Sequence, residues 1–130
     1  MSVEKFMRRC EHIDLEVLGL GFVHADYVIK CENFLVVIEE TESSKLEDID
    51  ALERTIEWVK TSYKMSADEK IYAVIHYHKR SDSKIPVALL SKTQSMRRRG
   101  WRVVFATFRC RDMNDLVHWL AKEYNLLIVL

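Results

Sequence analysis

A β-hairpin within residues 25–43 constrains the fold of this chain more than any other segment. Two apolar runs, 27–29 and 34–38, are rich in β-branched and aromatic residues. They flank the short polar pair Glu32 and Asn33, and asparagine tolerates the positive φ that a tight turn requires. The pattern therefore predicts two antiparallel strands joined by a two-residue turn.

This turn places Asp26 opposite Glu39 at the open end of the hairpin. Like charges directly opposite each other repel, with Cβ atoms roughly 5 Å apart, so the pair favours binding of a divalent cation. The same register places His24 opposite Thr41, beside the carboxylates. In the alternative interpretation both acids are strand ends screened by water, because a loop one residue longer would move Glu39 to the other face.

Length and composition predict one cytoplasmic domain spanning residues 1–130. A chain of 130 residues is long enough to bury a core of several strands and helices. No apolar run approaches the roughly 20 residues that cross a bilayer, and the N-terminus lacks the apolar region of a signal peptide. The cysteines are odd in number and form no CxxC spacing, which predicts reduced core thiols at Cys10, Cys31 and Cys110. Scarce amides and abundant charges favour a heat-adapted source.

Charge is distributed unevenly along this chain of zero net charge. Residues 1–69 hold 16 acidic and 8 basic side chains, whereas residues 70–130 hold 4 acidic and 12 basic ones. Ten of the basic side chains fall within residues 79–111, where Asp82 is the single acid. Such a stretch is a candidate surface for a polyanion. The alternative is a solvated face that the acidic part of the fold neutralises.

Apolar spacing predicts the order of elements in the first half of the chain. The apolar residues at 3, 6, 7 and 10 follow a helical period and predict a helix over the opening dozen residues, and residues 13–20 alternate as a strand before a glycine turn. After the hairpin, Ser44 and Glu47 form an S-x-x-E capping box. A long helix is predicted behind it, with its apolar face at Ile49, Leu52, Ile56, Val59 and Tyr63.

The second half predicts a βαβ unit and a final helix. A strand over 70–78, a helix from Pro86 to Gly100 and a strand over 101–108 imply parallel strands joined by a crossover. A helix over 114–123 and an apolar tail over 126–130 follow, the tail being either an added strand or an edge that binds a partner. The predicted fold class is α/β, with an antiparallel meander and a parallel crossover in one mixed sheet flanked by helices.

The hairpin and the element order together resemble the PD-(D/E)XK nuclease superfamily, and in particular the small archaeal Holliday-junction resolvases. In that motif an Asp begins one hairpin strand and the second strand ends in Glu-x-Lys. Residues 25–26 occupy the PD position and residues 39–41 the ExK position. The resemblance implies a restriction-endonuclease-like fold, and a metal-binding acid from the first helix, for which Glu4 and Glu11 are both candidates.

The resemblance implies a metal-dependent DNA endonuclease, with branched DNA as one candidate substrate. Mg²⁺ or Mn²⁺ would be held by Asp26, Glu39 and the backbone carbonyl of Glu40, and would activate water for attack on a phosphodiester. Contacts to the DNA backbone are predicted for a cluster of four arginines. These are Arg97, Arg98, Arg99 and Arg102.

The sequence departs from the motif at one position, where Thr41 replaces the lysine. A hydroxyl carries no positive charge for stabilising the phosphate. Lys45, at the start of the following helix, and His24 are the candidate replacements. The alternative function is an inactive nuclease fold that binds nucleic acid or assembles, as a homodimer in which the basic segment meets the acidic half of a second copy.

Other chemistry has little support in the sequence. His76 and His78 share a strand face, but without a partner ligand at a recognisable spacing they predict a structural role rather than a zinc site. A third option is an unrelated α/β regulatory domain. The chain lacks a glycine-rich phosphate loop and a nucleophile elbow, so no small-molecule cofactor is expected, and no membrane partner is expected either.

Overall fold

A five-stranded mixed sheet, in the order β1-β2-β3-β4-β5, organises the computed structural model, which describes residues 10–129. The sheet is flanked by three helices, so the predicted α/β class and mixed sheet are confirmed. The strands are β1 (Glu11–Asp14), β2 (Tyr27–Lys30), β3 (Phe34–Ser44), β4 (Lys70–Ser81) and β5 (Arg102–Arg109). The helices are α1 (Leu46–Ser62), α2 (Ile85–Arg98) and α3 (Met113–Tyr124).

The strand directions follow the predicted meander and crossover. Strand β2 runs antiparallel to both of its neighbours, β1 and β3. Strand β4 runs parallel to both of its neighbours, β3 and β5. In the hairpin, Val28 pairs with Val37, and the N–H of Cys31 donates to the carbonyl of Phe34 at 3.0 Å. The two-residue turn is confirmed. Continued by one residue beyond the pair of Tyr27 and Ile38, the same register places Asp26 opposite Glu39.

Each face of the sheet has its own apolar core because side chains alternate along the strands. Val28, Val37 and Ile75 belong to the core under α1 and α2. Ile38 and Val74 belong to the core under α3. The even-numbered residues of β2 and the odd-numbered residues of β3 and β4 thus face α1 and α2, which places Asp26 and Glu39 on that side.

The cysteine prediction is wrong for two of the three thiols. Cys10 and Cys31 form a disulfide, whereas Cys110 is free and buried, as predicted. The antiparallel pairing of β1 and β2 brings the start of β1 next to the hairpin turn, with 4.4 Å between the two Cα atoms. A separation of 21 residues carries no local sign of this contact.

The C-terminal tail packs against the α3 side of the sheet. Leu126 and Ile128 are buried in that core, together with Cys10. The N–H of Cys10 donates to the carbonyl of Val129 at 2.7 Å. Residues 125–129 form no strand, so the tail contributes apolar packing to its own chain.

Several predicted boundaries move for identifiable reasons. The predicted helix over the opening dozen residues lies outside the described residues over 1–9 and is wrong at Glu11 and His12, which belong to β1. The predicted strand over 13–20 is wrong beyond Asp14, which caps a 3₁₀ helix (Leu15–Leu18) by accepting from the N–H of Glu16 at 3.0 Å.

The predicted capping box of Ser44 and Glu47 is wrong, because the N-cap of α1 lies one residue later. Ser44 is the last residue of β3 and is buried, so Lys45 becomes the N-cap. Its backbone N–H donates to the carboxylate of Asp48 at 2.7 Å. Within residues 10–129, no helix is both long and apolar enough to span a bilayer.

Candidate functional site

The carboxyl groups of Asp26 and Glu39 lie close together at the open end of the hairpin, where Asp26 raises the pKa of Glu39. The backbone before β2 is held in place from two sides. The N–H of Ala25 donates to the buried Thr55 hydroxyl of α1 at 2.7 Å, and the N–H of Asp26 donates to the carbonyl of Ile38 at 3.0 Å. These contacts fix the position of Asp26, so its carboxyl group lies on the α1 side with that of Glu39.

The surroundings of Glu39 favour its protonated form. Burial, the hydrogen bond with Asp26 and the negative charge of Asp26 together raise the pKa of Glu39 to about 10. A carboxyl group with this pKa is neutral at pH 7, although a carboxylate is ordinarily ionised there. The pair is therefore a place where a second negative charge is unfavourable until a cation enters.

Two further acids, which the sequence interpretation missed, add to this negative field. The charges of Asp48 and Glu16 both raise the pKa of Glu39. Asp48 lies in the first turn of α1, and Glu16 lies in the 3₁₀ helix after β1. The sequence indicated Asp48 only by its position shortly after β3. It gave no indication of Glu16, which is far from Glu39 along the chain.

The donor set fits a hard divalent cation. Mg²⁺ binds through one or two carboxylates and otherwise keeps water or substrate oxygens. The N–H of Glu40 donates to the Asp26 carboxylate at 2.7 Å. Since the N–H and C=O of a strand residue point to the same edge, the Glu40 carbonyl faces β2 as well. No group of three or more Asp, Glu, His or Cys side chains suited to a metal occurs within residues 10–129, so water and substrate would complete the coordination.

The candidate replacements for the motif lysine occupy different positions around the pair. The Thr41 hydroxyl donates to the carbonyl of Ser43 at 3.2 Å. The His24 Nδ1 donates to the carbonyl of Ala25 at 2.6 Å, before the paired part of β2 begins at Tyr27. Lys45 lies one residue before α1, at its N-cap.

Lys45 acts on Asp48, which is one of the acids that raise the pKa of Glu39. Burial raises the pKa of Asp48, while the backbone hydrogen bond and the charge of Lys45 oppose this rise. Asp48 in turn acts on Glu39. Lys45 is therefore the candidate cation on the α1 side of the pair.

The two candidate N-terminal acids do not contribute a described ligand. Glu4 lies outside the described residues. Glu11 pairs with Lys30 beside the hairpin turn, four residues along β2 from Asp26, which is roughly 13 Å at the rise of an extended strand. The structure thus places Glu11 at the far end of the hairpin.

A cleft of about 330 Å³ opens beside Asp26 and continues around the end of β3. One of its lining residues, His78 on β4, uses both ring nitrogens in polar contacts. The Nδ1 of His78 is 3.0 Å from the carbonyl of Cys110, and its Nε2 is 3.1 Å from Oε1 of Glu40. The lining residues are Asp26, Tyr27, Glu40, Thr41, Glu42 and His78.

The hydrogen bonds of His78 orient its ring. A carbonyl can only accept, so Nδ1 donates to Cys110 and Nε2 faces the Glu40 carboxylate. The two side chains form an ion pair when the ring is protonated. His76, whose ring centroid is 4.8 Å from that of His78, is buried. Among residues 10–129 neither of its ring nitrogens meets a hydrogen-bond partner in good geometry. Burial lowers the pKa of His76, which keeps it neutral.

The four predicted DNA-contacting arginines lie at the opposite end of the sheet from the carboxylates. Arg102 begins β5 and is in register with Lys70 and, through it, with Phe34 of β3. Glu39 lies five residues further along β3, or about 17 Å. Within one protomer the arginines are therefore placed away from a phosphate bound at Asp26. They are Arg97 and Arg98 in the last turn of α2, Arg99 at its C-cap, and Arg102.

Other basic residues share the end of the sheet with the carboxylates. Arg80 is in register with Ser43 at the end of β3. Lys79 forms an ion pair with Glu42 at 3.0 Å, and Arg109 donates from Nε to the carbonyl of His78 at 3.2 Å.

Comparison with models of protein families, with curated proteins and with solved structures finds no match.

Proposed function

We propose that this chain is a metal-dependent endonuclease-like protein of the PD-(D/E)XK class that hydrolyses phosphodiester bonds in DNA. The observation that carries the proposal is the meeting of the Asp26 and Glu39 carboxyl groups on one face of the sheet. A restriction-endonuclease-like fold would accommodate the antiparallel hairpin and the parallel crossover that follows it. Branched DNA is the substrate that the resemblance to junction resolvases favours.

The carboxylate pair and the Glu40 carbonyl would hold Mg²⁺ or Mn²⁺. When bound, the ion would supply an activated water and stabilise charge on the phosphate. Glu39 must release its proton for the ion to enter, so metal affinity rises with pH. Asp26 remains aligned during this exchange because the N–H of Glu40 donates to it.

His78 and Glu40 would offer, from the α3 side of the sheet, the positive charge and the proton that Thr41 cannot supply. They line the same cleft as Asp26, and Nε2 of His78 lies 3.1 Å from Oε1 of Glu40. In this role the pair would interact with the phosphate and donate a proton to the leaving oxygen. Lys45 would contribute positive charge from the α1 side of the sheet, through its interaction with Asp48.

Replacing His78 by alanine is expected to lower the rate of cleavage by roughly 10²-fold, the usual contribution of a general acid. Mn²⁺ affinity is expected to stay within about twofold, because His78 is not a metal ligand in this proposal. The exposed His118 on α3 provides the matched control, His118→Ala. Equal rates in the two variants would remove His78 from the mechanism.

The direct test is cleavage of supercoiled plasmid and of a synthetic four-way junction. With Mg²⁺ or Mn²⁺ the wild-type protein is expected to nick or resolve these substrates, and excess EDTA is expected to stop the reaction. Glu123→Gln, a change on the exposed surface of α3, should leave the rate unaltered. Cleavage that persists in EDTA would contradict the proposal.

A second function is favoured by the state of Thr41, whose hydroxyl is already bonded to the Ser43 carbonyl. In this alternative the fold binds nucleic acid or assembles as a homodimer without catalysis. Calorimetry, DNA-binding titration and light scattering distinguish the two. Metal binding and salt-sensitive DNA binding without cleavage would identify an inactive binding module, and self-association without DNA binding would identify an assembly module.

A further inference from the structure

A second polar cavity, of about 480 Å³, lies at the end of the sheet opposite the carboxylate pair. It is formed where β4 and β5 begin and where α2 and α3 end, because the crossover helix returns the chain to the start of the parallel strands. The lining residues are Lys70, Tyr72, Thr93, Arg97, Trp101, Arg102, Val103, Val104 and Tyr124. We call it the basic cavity.

Of the residues that the structure describes, three cations and no acid line the basic cavity. Lys70 and Arg102 are direct neighbours in the β4–β5 register, a cross-strand arrangement in which like charges repel. Arg97 approaches them from the last turn of α2. None of the three forms an ion pair within residues 10–129, so an anionic ligand would relieve their mutual repulsion.

Aromatic rings form the other wall of the cavity. The ring centroids of Tyr72 and Tyr124 are 5.1 Å apart, and burial raises the pKa of both hydroxyls, which keeps them neutral hydrogen-bond donors. Trp101 presents one face to the ammonium of Lys60, 4.1 Å from its ring centroid. Rings beside arginines are the combination that stacks a base while its phosphate is neutralised.

We propose that the basic cavity binds a nucleoside phosphate, with the phosphate at Arg97, Arg102 and Lys70 and the base against Tyr124. The volume lies within the roughly 300–1,000 Å³ of small-ligand sites, and the guanidinium groups suit bidentate contacts to phosphate. The ligand is either a free nucleotide or one unit of a nucleic-acid strand. The proposal does not depend on metal or on cleavage.

Calorimetric titration in EDTA with thymidine 5′-monophosphate and with a single-stranded oligothymidylate tests the proposal. Saturable binding is expected, weakening as salt rises. Arg97→Ala and Arg102→Ala should each reduce affinity about tenfold or more, because each removes a charge-assisted contact. Arg98→Ala is the matched control, since Arg98 is the next residue on α2 but does not line the cavity; its affinity should stay within about twofold of the wild type.

Tyr124→Leu separates stacking from charge. It should weaken binding of the nucleotide while leaving the weaker binding of inorganic phosphate unaltered. Tighter binding of the oligonucleotide than of the mononucleotide identifies a nucleic-acid strand as the ligand, and equal affinity identifies a free nucleotide. Absence of saturable binding to either would overturn the proposal, as would equal losses in the Arg98 and Arg102 variants. Lys70→Gln replaces any arginine variant whose circular dichroism shows misfolding.

Discussion

Replacing Asp26 by asparagine is expected to reduce metal-dependent DNA cleavage by on the order of 10³-fold. Asparagine retains an oxygen that accepts from the N–H of Glu40, as Asp26 does at 2.7 Å, so the local backbone is preserved. The change removes the negative charge that a divalent cation needs. The measurement is the single-turnover rate on a four-way junction at saturating Mn²⁺.

The control for this prediction is Asp68→Asn, which alters an exposed aspartate in the turn before β4. Its rate should match that of the wild type, and circular dichroism should show that both variants are folded. If the Asp26 variant cleaved at the wild-type rate, the carboxylate pair would have no catalytic role. Cleavage lost equally in both variants would point to a general effect of surface charge instead.

Replacing Glu39 by glutamine is expected to stabilise the metal-free protein above neutral pH while abolishing metal binding. In the folded protein the pKa of Glu39 is raised to about 10, from 4.5. A raised pKa contributes stability that is fully present below pH 4.5 and is lost as the pH rises toward 10. Glutamine cannot ionise, so the variant does not lose this contribution, and its amide can still donate to Asp26.

The gain in unfolding free energy at pH 8 is expected to be roughly 1–3 kcal/mol, below the full linkage value because solvent screens part of the carboxyl group. Thermal melts in EDTA between pH 5 and pH 9, for the wild type, Glu39→Gln and Glu123→Gln, measure it, with the two variant curves diverging as pH rises. Added Mn²⁺ should raise the Tm of the wild type and of the control only. Parallel curves in all three proteins would show that Glu39 ionises freely.

Local patterning was sufficient to predict the hairpin and therefore the carboxylate pair. The runs 27–29 and 34–38 are apolar at every position and fit either face, so the register came from the two-residue turn at Glu32 and Asn33, which pairs Val28 with Val37. A shift by one residue would reverse every side chain of the strand. The pairing of Asp26 with Glu39 follows from this register, so the central part of the site could be inferred without coordinates.

Contacts made through the sheet could not be inferred in the same way. Glu16 and Asp48 act on Glu39 across strands, and His78 reaches Glu40 from β4. These meetings depend on which strands are neighbours, which the sequence pattern left open. The disulfide between Cys10 and Cys31 was missed for another reason, because Cys10 was assigned to the predicted first helix, whereas it directly precedes β1 beside β2.

The position of the arginines follows from topology rather than from composition. A crossover helix returns the chain to the end where parallel strands begin, so Arg97 and Arg102 must lie beside the start of β5. Glu39 lies toward the end of β3. The prediction of one basic surface over residues 79–111 did not take into account that the chain runs from one end of the sheet to the other within this stretch. The stretch instead supplies two separate groups, with Arg80 and Arg109 at one end of the sheet and the basic cavity at the other.

The hydrogen bond between Cys10 and Val129 has a consequence for the connectivity of the chain. Leu126 and Ile128 share a core with Cys10, and Cys10 is cross-linked to Cys31 at the hairpin turn. The tail, β1 and the hairpin turn are thereby joined by contacts between residues that lie far apart in the chain.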